Sequence, residues 1–129
     1  RNFLYNVIRS SSEIIIILDK NLNVYIFNSG AEKELQVCSA NAITKSAAHF
    51  FCENDYSEII DELLKGNDIY NKDIYLRCID GRKILTNFSA FTIKNSNKSD
   101  RRPQAIVMIA NNITQKKLLE RQLFQNEKS

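Results

Sequence analysis

The sequence predicts an α+β domain, a five-stranded antiparallel sheet with helices covering one face and an amphipathic helix at each end. Three observations lead to this prediction. Two β-rich segments, "IIIILD" and "VYIFN", lie close together near residue 20, and three more strand-like segments follow residue 68. Between these groups, residues 29 to 35 and 55 to 66 carry helical rather than alternating patterns. Strands divided in this way by a helical stretch are typical of a sheet that is covered on one side.

The composition narrows the class of protein. A chain of 129 residues fits one domain. The net charge of +3, without a long Lys/Arg run, argues against nucleic-acid binding, and no apolar stretch approaches the ~20 residues of a membrane span. Three widely spaced cysteines without a CxxC pair indicate reduced thiols and a cytoplasmic location. Because the chain opens on Arg1 and stops in a charged helix, we expect it to be part of a longer protein.

The first third of the chain predicts a helix, a hairpin and a second helix. Four apolar residues share one helical face in "NFLYNVIRSSSE": Phe3, Leu4, Val7 and Ile8. The hairpin turn is "KNLN", whose two asparagines tolerate positive φ. Either Asn28 or Ser29 is expected to cap the helix "SGAEKEL". Residues 36 to 55 lack a clear period, so we predict a loop with single helical turns.

The rest of the chain predicts one helix, three strands and a closing helix. In "DYSEIIDELLKG", Asp55 is the predicted cap, Gly66 ends the helix, and the apolar stripe is Ile59, Ile60, Leu63 and Leu64. Asp80-Gly81 predicts a two-residue hairpin, and Thr114 is expected to cap the last helix. That helix carries Leu118, Leu119, Leu123 and Phe124 among charged residues. We therefore divide the chain into an N-terminal helix (1–12), the sheet domain (13–113) and a C-terminal linker helix (114–129).

The period of two assigns the strand residues to faces. The outward set, Tyr75, Arg77, Asn87, Ser89 and Asn111, is mostly polar. The inward set is apolar apart from its threonine: Ile16, Ile74, Leu76, Thr86, Phe88, Ala90, Ile106, Met108 and Ala110. Such a face either fills a core or surrounds a small apolar or aromatic ligand. The dense packing of protein interiors favours the filled core, whereas the two small alanines leave room for a ligand.

The order of elements resembles that of the PAS domain family from about Ile14 to Leu123. Four segments carry the resemblance. "ILDKNLNVYIFNSGAE" is similar to the opening hairpin and first helix of the family, and "ANAITKS" to the segment usually written E-E-L-I-G-K. "IDGRK" resembles the K-D-G hairpin, and "NNITQKK" resembles the closing D-I-T-E-R-K. The chain departs from the family at Gln36 and Thr44, where glycine is frequent, and at Asn112, where Asp is usual.

The resemblance implies a sensory module that binds a ligand or dimerises and then relays a signal. The nine inward residues would line the ligand pocket. Asn112, Ile113 and Thr114 would form the relay to a C-terminal effector such as a histidine kinase or a diguanylate cyclase, and paired terminal helices would make a homodimer. A ligand-free module for dimerisation or partner docking is the alternative. Because Asn112 lacks the charge of Asp, we expect the junction to be weaker by about 0.5 kcal/mol.

The identity of a cofactor stays open, but two cofactors are disfavoured. Thiol-reactive flavin photosensors carry an N-C-R-F-L-Q segment, whereas this chain has "KSAAHFFCEN", in which Cys52 lacks the Asn and Arg neighbours. Haem sensors of the rhizobial type carry a His on the main helix, whereas His49 here precedes that helix. Cys38, His49 and Cys52 do not have the spacing of a closed zinc site. No cluster of catalytic residues or phosphate-binding loop is evident, so we do not expect an enzyme.

Overall fold

A computed structural model of the chain describes residues 3 to 128. Its sheet has five strands: β1 (Ile14–Leu18), β2 (Val24–Phe27), β3 (Ile69–Arg77), β4 (Lys83–Ile93) and β5 (Ala105–Asn112). Their order in space is β2-β1-β5-β4-β3, and every neighbouring pair is antiparallel. The predicted α+β class is therefore confirmed. Since β5 is the last strand in sequence but the middle one in space, it is hydrogen-bonded on both sides.

The helices lie where the sequence indicated. They are α1 (Phe3–Ser10), α2 (Ser29–Leu35), α3 (Ser39–Ala42), a 3-10 helix (Ala47–Phe50), α4 (Asp55–Leu64) and α5 (Thr114–Lys128). Helix α3 and the 3-10 helix are the single turns expected between residues 36 and 55. The predicted terminal segments also include residues 1, 2 and 129, which lie outside the described residues.

Backbone contacts of residues 44 to 51 fasten the helical layer to both edges of the sheet. On the β2 edge, the N–H of Val24 donates to Lys45 O at 2.8 Å, and the N–H of Thr44 donates to Val24 O at 2.8 Å. On the β3 edge, Phe51 forms an isolated antiparallel bridge with Leu76. These contacts satisfy edge groups that would otherwise face solvent.

Aromatic rings join the helical layer to the sheet in the core. Phe27 and Phe50 have ring centroids 5.4 Å apart. Phe51 meets Phe88 edge-on at 5.7 Å and also contacts the ring of Tyr56 at 5.3 Å. Such edge and tilted contacts are favourable arrangements of aromatic pairs. They fill the space between the two layers with large side chains.

The two predicted hairpin turns differ in detail from the prediction. In the first, the residue with positive φ is Leu22 (66°) rather than either asparagine. The carboxylate of Asp19 accepts hydrogen bonds from the N–H groups of Asn21 and Asn23, at 2.9 and 3.1 Å, which fixes the turn around Leu22. The asparagines therefore contribute backbone donors, and their tolerance of positive φ is not used.

The β3–β4 hairpin has a three-residue loop instead of the predicted two-residue turn. The N–H of Cys78 donates to Arg82 O at 2.7 Å, and Gly81 N–H donates to Cys78 O at 2.9 Å. Gly81 has a φ of 92°, as the bulge after a turn of this kind requires. Asp80 accepts hydrogen bonds from the backbone N–H and the guanidinium of Arg82, which lower the pKa of its carboxyl.

The ends of α4 partly match the prediction. Gly66, with a φ of 94°, ends the helix as expected. Asp55 is the first helical residue rather than the cap, and Asn54 takes the cap position without a side-chain hydrogen bond. Ile59, Ile60 and Leu63 are buried, but Leu64 is 52% exposed. The buried stripe of α4 is therefore narrower than predicted.

Candidate functional site

The apolar inward face is the first candidate site. All nine predicted residues are buried, with exposures between 0% and 6%: Ile16, Ile74, Leu76, Thr86, Phe88, Ala90, Ile106, Met108 and Ala110. The hydroxyl of Thr86 donates to Ile74 O at 2.9 Å, so its polar group is satisfied within the sheet. The period-two assignment of this face is correct, whereas its role as a ligand pocket stays a prediction.

Large side chains stand beside the two alanines that suggested room for a ligand. Ala110 pairs with Phe88 across β4 and β5, and Ala90 pairs with Met108. Phe88 in turn meets the ring of Phe51 from the helical layer. None of the nine residues lines any of five surface pockets on the described part of the chain. The face therefore has the packing of a filled core.

The opposite face of the sheet is more apolar than predicted. The register places Ile17 between Ile26 of β2 and Val107 of β5, and Val107 pairs in turn with Phe91. Val107 is 9% exposed, and the other three are partly buried. The predicted polar set describes only β3, β4 and the end of β5. The middle of the outer face carries an apolar band, because β1 is isoleucine on both faces up to Leu18 and β5 places Val107 and Ile109 on its outer face.

The junction between β5 and α5 is the second candidate site, and Asn112 is its centre. The Asn112 side chain donates to the Glu34 carboxylate at 2.9 Å and accepts from the N–H of Thr114 at 3.0 Å. Ile113 N–H donates to Leu85 O at 2.9 Å. Thr114 is the first residue of α5, so the helix start is capped by Asn112 and not by Thr114 as predicted.

Glu34 is the junction residue that sequence reasoning missed. Its carboxylate holds Asn112, and its backbone oxygen accepts from the thiol of Cys78 at 3.2 Å. Burial raises the pKa of that thiol. Because an Asp at 112 could not donate to Glu34, the structure leads us to expect that Asn112 strengthens the junction, which reverses the expectation from the sequence. The sequence feature that could have indicated this contact is the amide of Asn112. An amide can donate a hydrogen bond to a neighbouring carboxylate, whereas the usual Asp cannot.

Helix α1 is tied to the domain through one buried side chain. Asn28 is fully buried, and its oxygen accepts from the N–H groups of Ile15 and Ala31, both at 2.9 Å. The second bond caps α2, which resolves the choice between Asn28 and Ser29. Its amide nitrogen donates to the backbone oxygens of Ile8, Ser11 and Glu13. The end of α1, the start of β1 and the start of α2 therefore share one hydrogen-bonding centre.

Both terminal helices leave apolar side chains exposed. On α1, Phe3, Leu4 and Val7 are exposed, and only Ile8 of the predicted face is partly buried. On α5 the exposed set is Leu118, Leu119, Leu123 and Phe124. The Lys117 ammonium lies 3.7 Å from the Asp73 carboxylate, so the first turn of α5 also contacts β3.

The residues weighed for cofactors lie at different depths. His49 is exposed on the 3-10 helix, Cys38 is exposed, and Cys52 is partly buried. Within residues 3 to 128, no three His, Cys, Asp or Glu side chains are grouped so that they could hold a metal ion. Over the same residues, every helix is too short or too polar to cross a bilayer.

Comparison with solved structures identifies the fold. The PAS domain of a protein from Colwellia psychrerythraea has a TM-score of 0.74 at 16% identity, covering 87% of this chain and 95% of that one. A PAS domain from a two-component sensor histidine kinase has a TM-score of 0.66 at 15% identity, with coverages of 83% and 91%. An RNA-binding light-oxygen-voltage receptor has a TM-score of 0.76 at 15% identity, but the match spans only 36% of its length. No protein-family model and no curated protein matches the sequence.

These similarities define the class of the domain. It has the PAS fold, with the strand order, the helical layer and the final strand-to-helix junction described above. The resemblance predicted from the four sequence segments is confirmed at the level of fold.

Proposed function

We propose that the domain is a cytoplasmic, non-catalytic relay module that works as a homodimer. It passes a conformational change through α5 to an attached effector, such as a histidine kinase or a diguanylate cyclase. The arrangement of α5 carries the proposal. This helix continues directly from the central strand, and its first residues are held to the domain by the bond between Asn112 and Glu34. Its apolar side chains are exposed.

The base of α5 can report the state of the whole sheet. Asn112 connects it to α2 through Glu34, and Lys117 connects it to β3 through Asp73. A shift of any of these elements changes the direction in which α5 leaves the domain. Small shifts at such a junction become rotations of a helix, which is one known mode of signalling between domains.

The exposed apolar residues of α1 and α5 support dimerisation. Burying an exposed apolar side chain of a helix against a partner helix lowers the free energy of the pair. Parallel association of two copies would bring their α5 helices side by side. The similarity to a PAS domain from a sensor histidine kinase supports an effector of this kind.

The packing of the inward face favours the ligand-free form of this module. The nine buried residues, which include Phe88, and the Phe51 ring that meets Phe88 edge-on occupy the region where the resemblance implies a ligand. A ligand there would have to displace Phe51 or Phe88, at a cost of several kcal/mol by analogy with core substitutions. We therefore propose that these nine residues form the packed core that holds β5 in place. The signal that the module receives then acts at another part of the domain.

Sedimentation velocity of the whole chain tests the relay module. We expect a concentration-dependent dimer. Leu123→Lys places a charge on the exposed apolar side of α5, and we expect it to weaken the dimer without changing the stability of the monomer, measured at a concentration where both variants are monomeric. Gln125→Lys is the matched control, because it adds the same charge to the same helix on the side that faces away from Leu119 and Leu123. A chain that stays monomeric at its highest soluble concentration, or two variants that behave alike, would contradict the proposal.

A further inference from the structure

A cavity lies outside the inward face of the sheet, between α3, the 3-10 helix and the tip of the β3–β4 hairpin. Its volume is about 250 Å³. Its wall is formed by four apolar residues: Val37, Ala42, Phe50 and Ile79. Ile79 is 61% exposed, so part of its side chain is accessible to a molecule that enters the cavity. We call this cavity the hairpin cleft. It shares no residue with the inward face.

The polar rim of the hairpin cleft has one sign of charge. It consists of Asn41, Lys45, Ser46 and His49, with no carboxylate. Lys45 is exposed, and within residues 3 to 128 no ion pair engages its ammonium group. An apolar wall next to an unpaired cation matches a molecule that has an apolar body and a negative end.

A buried hydroxyl without a hydrogen-bond partner lies near Ser46 of the rim. The hydroxyl of Tyr56 is buried and makes no hydrogen bond. Burial raises the pKa of Tyr56, and the neighbouring Ser46 hydroxyl offsets part of the increase, although the two groups do not meet hydrogen-bond geometry. Ser46 already accepts from the N–H of Ala48 at 3.2 Å. An unsatisfied buried hydroxyl is destabilising, so this side of the cleft is not fully satisfied by the chain itself.

We propose that the hairpin cleft binds a small organic carboxylate, with its apolar body against Phe50 and Ile79 and its carboxylate beside Lys45. The volume lies just below the ~300–1,000 Å³ of sites for drug-sized ligands. Because a cavity of ~150 Å³ holds one benzene molecule, this volume accepts one aromatic ring together with a short side chain that carries the carboxylate. Ala42 at the floor of the cleft, which is 1% exposed, leaves the space that such a ring would take.

The cleft is connected to the α5 junction by hydrogen bonds. The N–H of Ile79 donates to Leu35 O at 3.0 Å. The residue before Leu35 is Glu34, whose carboxylate holds Asn112 at the start of α5. A ligand that moves the hairpin tip therefore acts on the segment that positions α5. This coupling rests on the proposed relay function, whereas binding in the cleft does not.

Titration of the ¹⁵N-labelled chain with phenylacetate tests binding. Two matched probes separate the contributions: 2-phenylethanol keeps the ring without the charge, and acetate keeps the charge without the ring. We expect saturating shifts of the Ala42, Phe50 and Ile79 amides with phenylacetate. For 2-phenylethanol we expect affinity about two- to fivefold lower, the effect of one exposed ion pair. Acetate should give no saturating shifts.

Charge variants identify the cation that holds the carboxylate. Lys45→Gln should weaken phenylacetate binding by about two- to fivefold and leave 2-phenylethanol binding unchanged. Lys33→Gln, which removes an exposed lysine of α2 outside the cleft, should change neither. Absence of saturating shifts, saturation centred on Phe88 and Met108, or equal binding by the Lys45→Gln variant would each overturn the proposed site.

A second reading of the same titration tests the coupling. Ligand binding should also shift the Thr114 amide and the Asn112 side-chain amide. In Glu34→Ala the cleft should still bind phenylacetate, and the Thr114 response should be lost. A Thr114 response that persists in this variant refutes the route through Glu34. A chain that binds phenylacetate but never dimerises refutes the relay module alone, and a dimer that does not bind refutes the cleft alone.

Discussion

Replacing Asn112 with Asp should destabilise this domain, although it restores the residue that PAS sequences usually have there. The bond from the Asn112 amide to the Glu34 carboxylate, 2.9 Å long, would be lost, because a carboxylate cannot donate. Two carboxylates would then face each other. The bond to the N–H of Thr114 would remain, since Asp keeps the accepting oxygen.

The magnitude follows from three contributions. The lost hydrogen bond costs about 1 kcal/mol. Two like charges at this separation repel by about 1.4 kcal/mol in water, and a small movement of the exposed side chains reduces this to about 1 kcal/mol. A new negative charge at the start of α5 stabilises the folded state by about 0.5 kcal/mol. The free energy of unfolding should therefore fall by about 1.5 kcal/mol.

Urea unfolding measures this change. With a slope of about 1–3 kcal/mol per molar urea, the midpoint of Asn112→Asp should fall by roughly 0.5 to 1.5 M, and added salt should reduce the difference. Glu34→Gln provides the control background, because its amide can donate to Asp at 112. In that background Asn112→Asp should be neutral or stabilising. An Asn112→Asp variant that is more stable than the parent chain, or equally destabilised in both backgrounds, would refute the reasoning.

Three further predictions concern stability. Asn28→Ala removes the acceptor and donor of a buried five-bond centre and should lower the free energy of unfolding by about 3 kcal/mol or more, measured by urea unfolding. Gly30→Ala should lower stability by a similar amount, since an added Cβ would overlap the backbone oxygen of Glu13. Thermal melts check this prediction. Gly81→Ala is the comparison, because its added Cβ meets open space although its φ is strained. Hydrogen bonds to Arg82 and Arg102 lower the carboxyl pKa values of Asp80 and Asp100, so the unfolded chain protonates first and stability falls as pH drops below about 4. Melting temperatures between pH 2 and 6 should show a flatter acid limb in the Asp80→Asn, Asp100→Asn double variant.

The fold and one face of the sheet could be predicted from local patterns. Alternation along β3, β4 and β5 identified eight buried residues, and Ile16 of β1 was the ninth, because a strand that covers a core must place every second side chain on the same side. The helices and most of their ends followed from apolar spacing, from Asn28 and from Gly66. These signals lie within a few residues of the structure that they specify.

The detail of the turns and caps was less predictable. A turn residue such as Leu22 adopts positive φ because Asp19 and the strand register hold the backbone on both sides, and composition does not report this. The cap of α5 comes from Asn112, two residues before the helix, and not from the Thr114 hydroxyl. Several side chains near a helix start are able to cap it, and the docking of neighbouring elements selects one.

The pairing of Glu34 with Asn112, the apolar band around Val107 and the hairpin cleft arise only when the layers dock. Glu34 and Asn112 are far apart in sequence and carry no pattern that connects them. Their contact exists because the last strand inserts beside β1 and brings the start of α5 to the end of α2. Local sequence specifies which side of an element is apolar, since that depends on spacing alone. The partner of each polar group depends on how whole elements are placed, and that placement follows from packing the entire core.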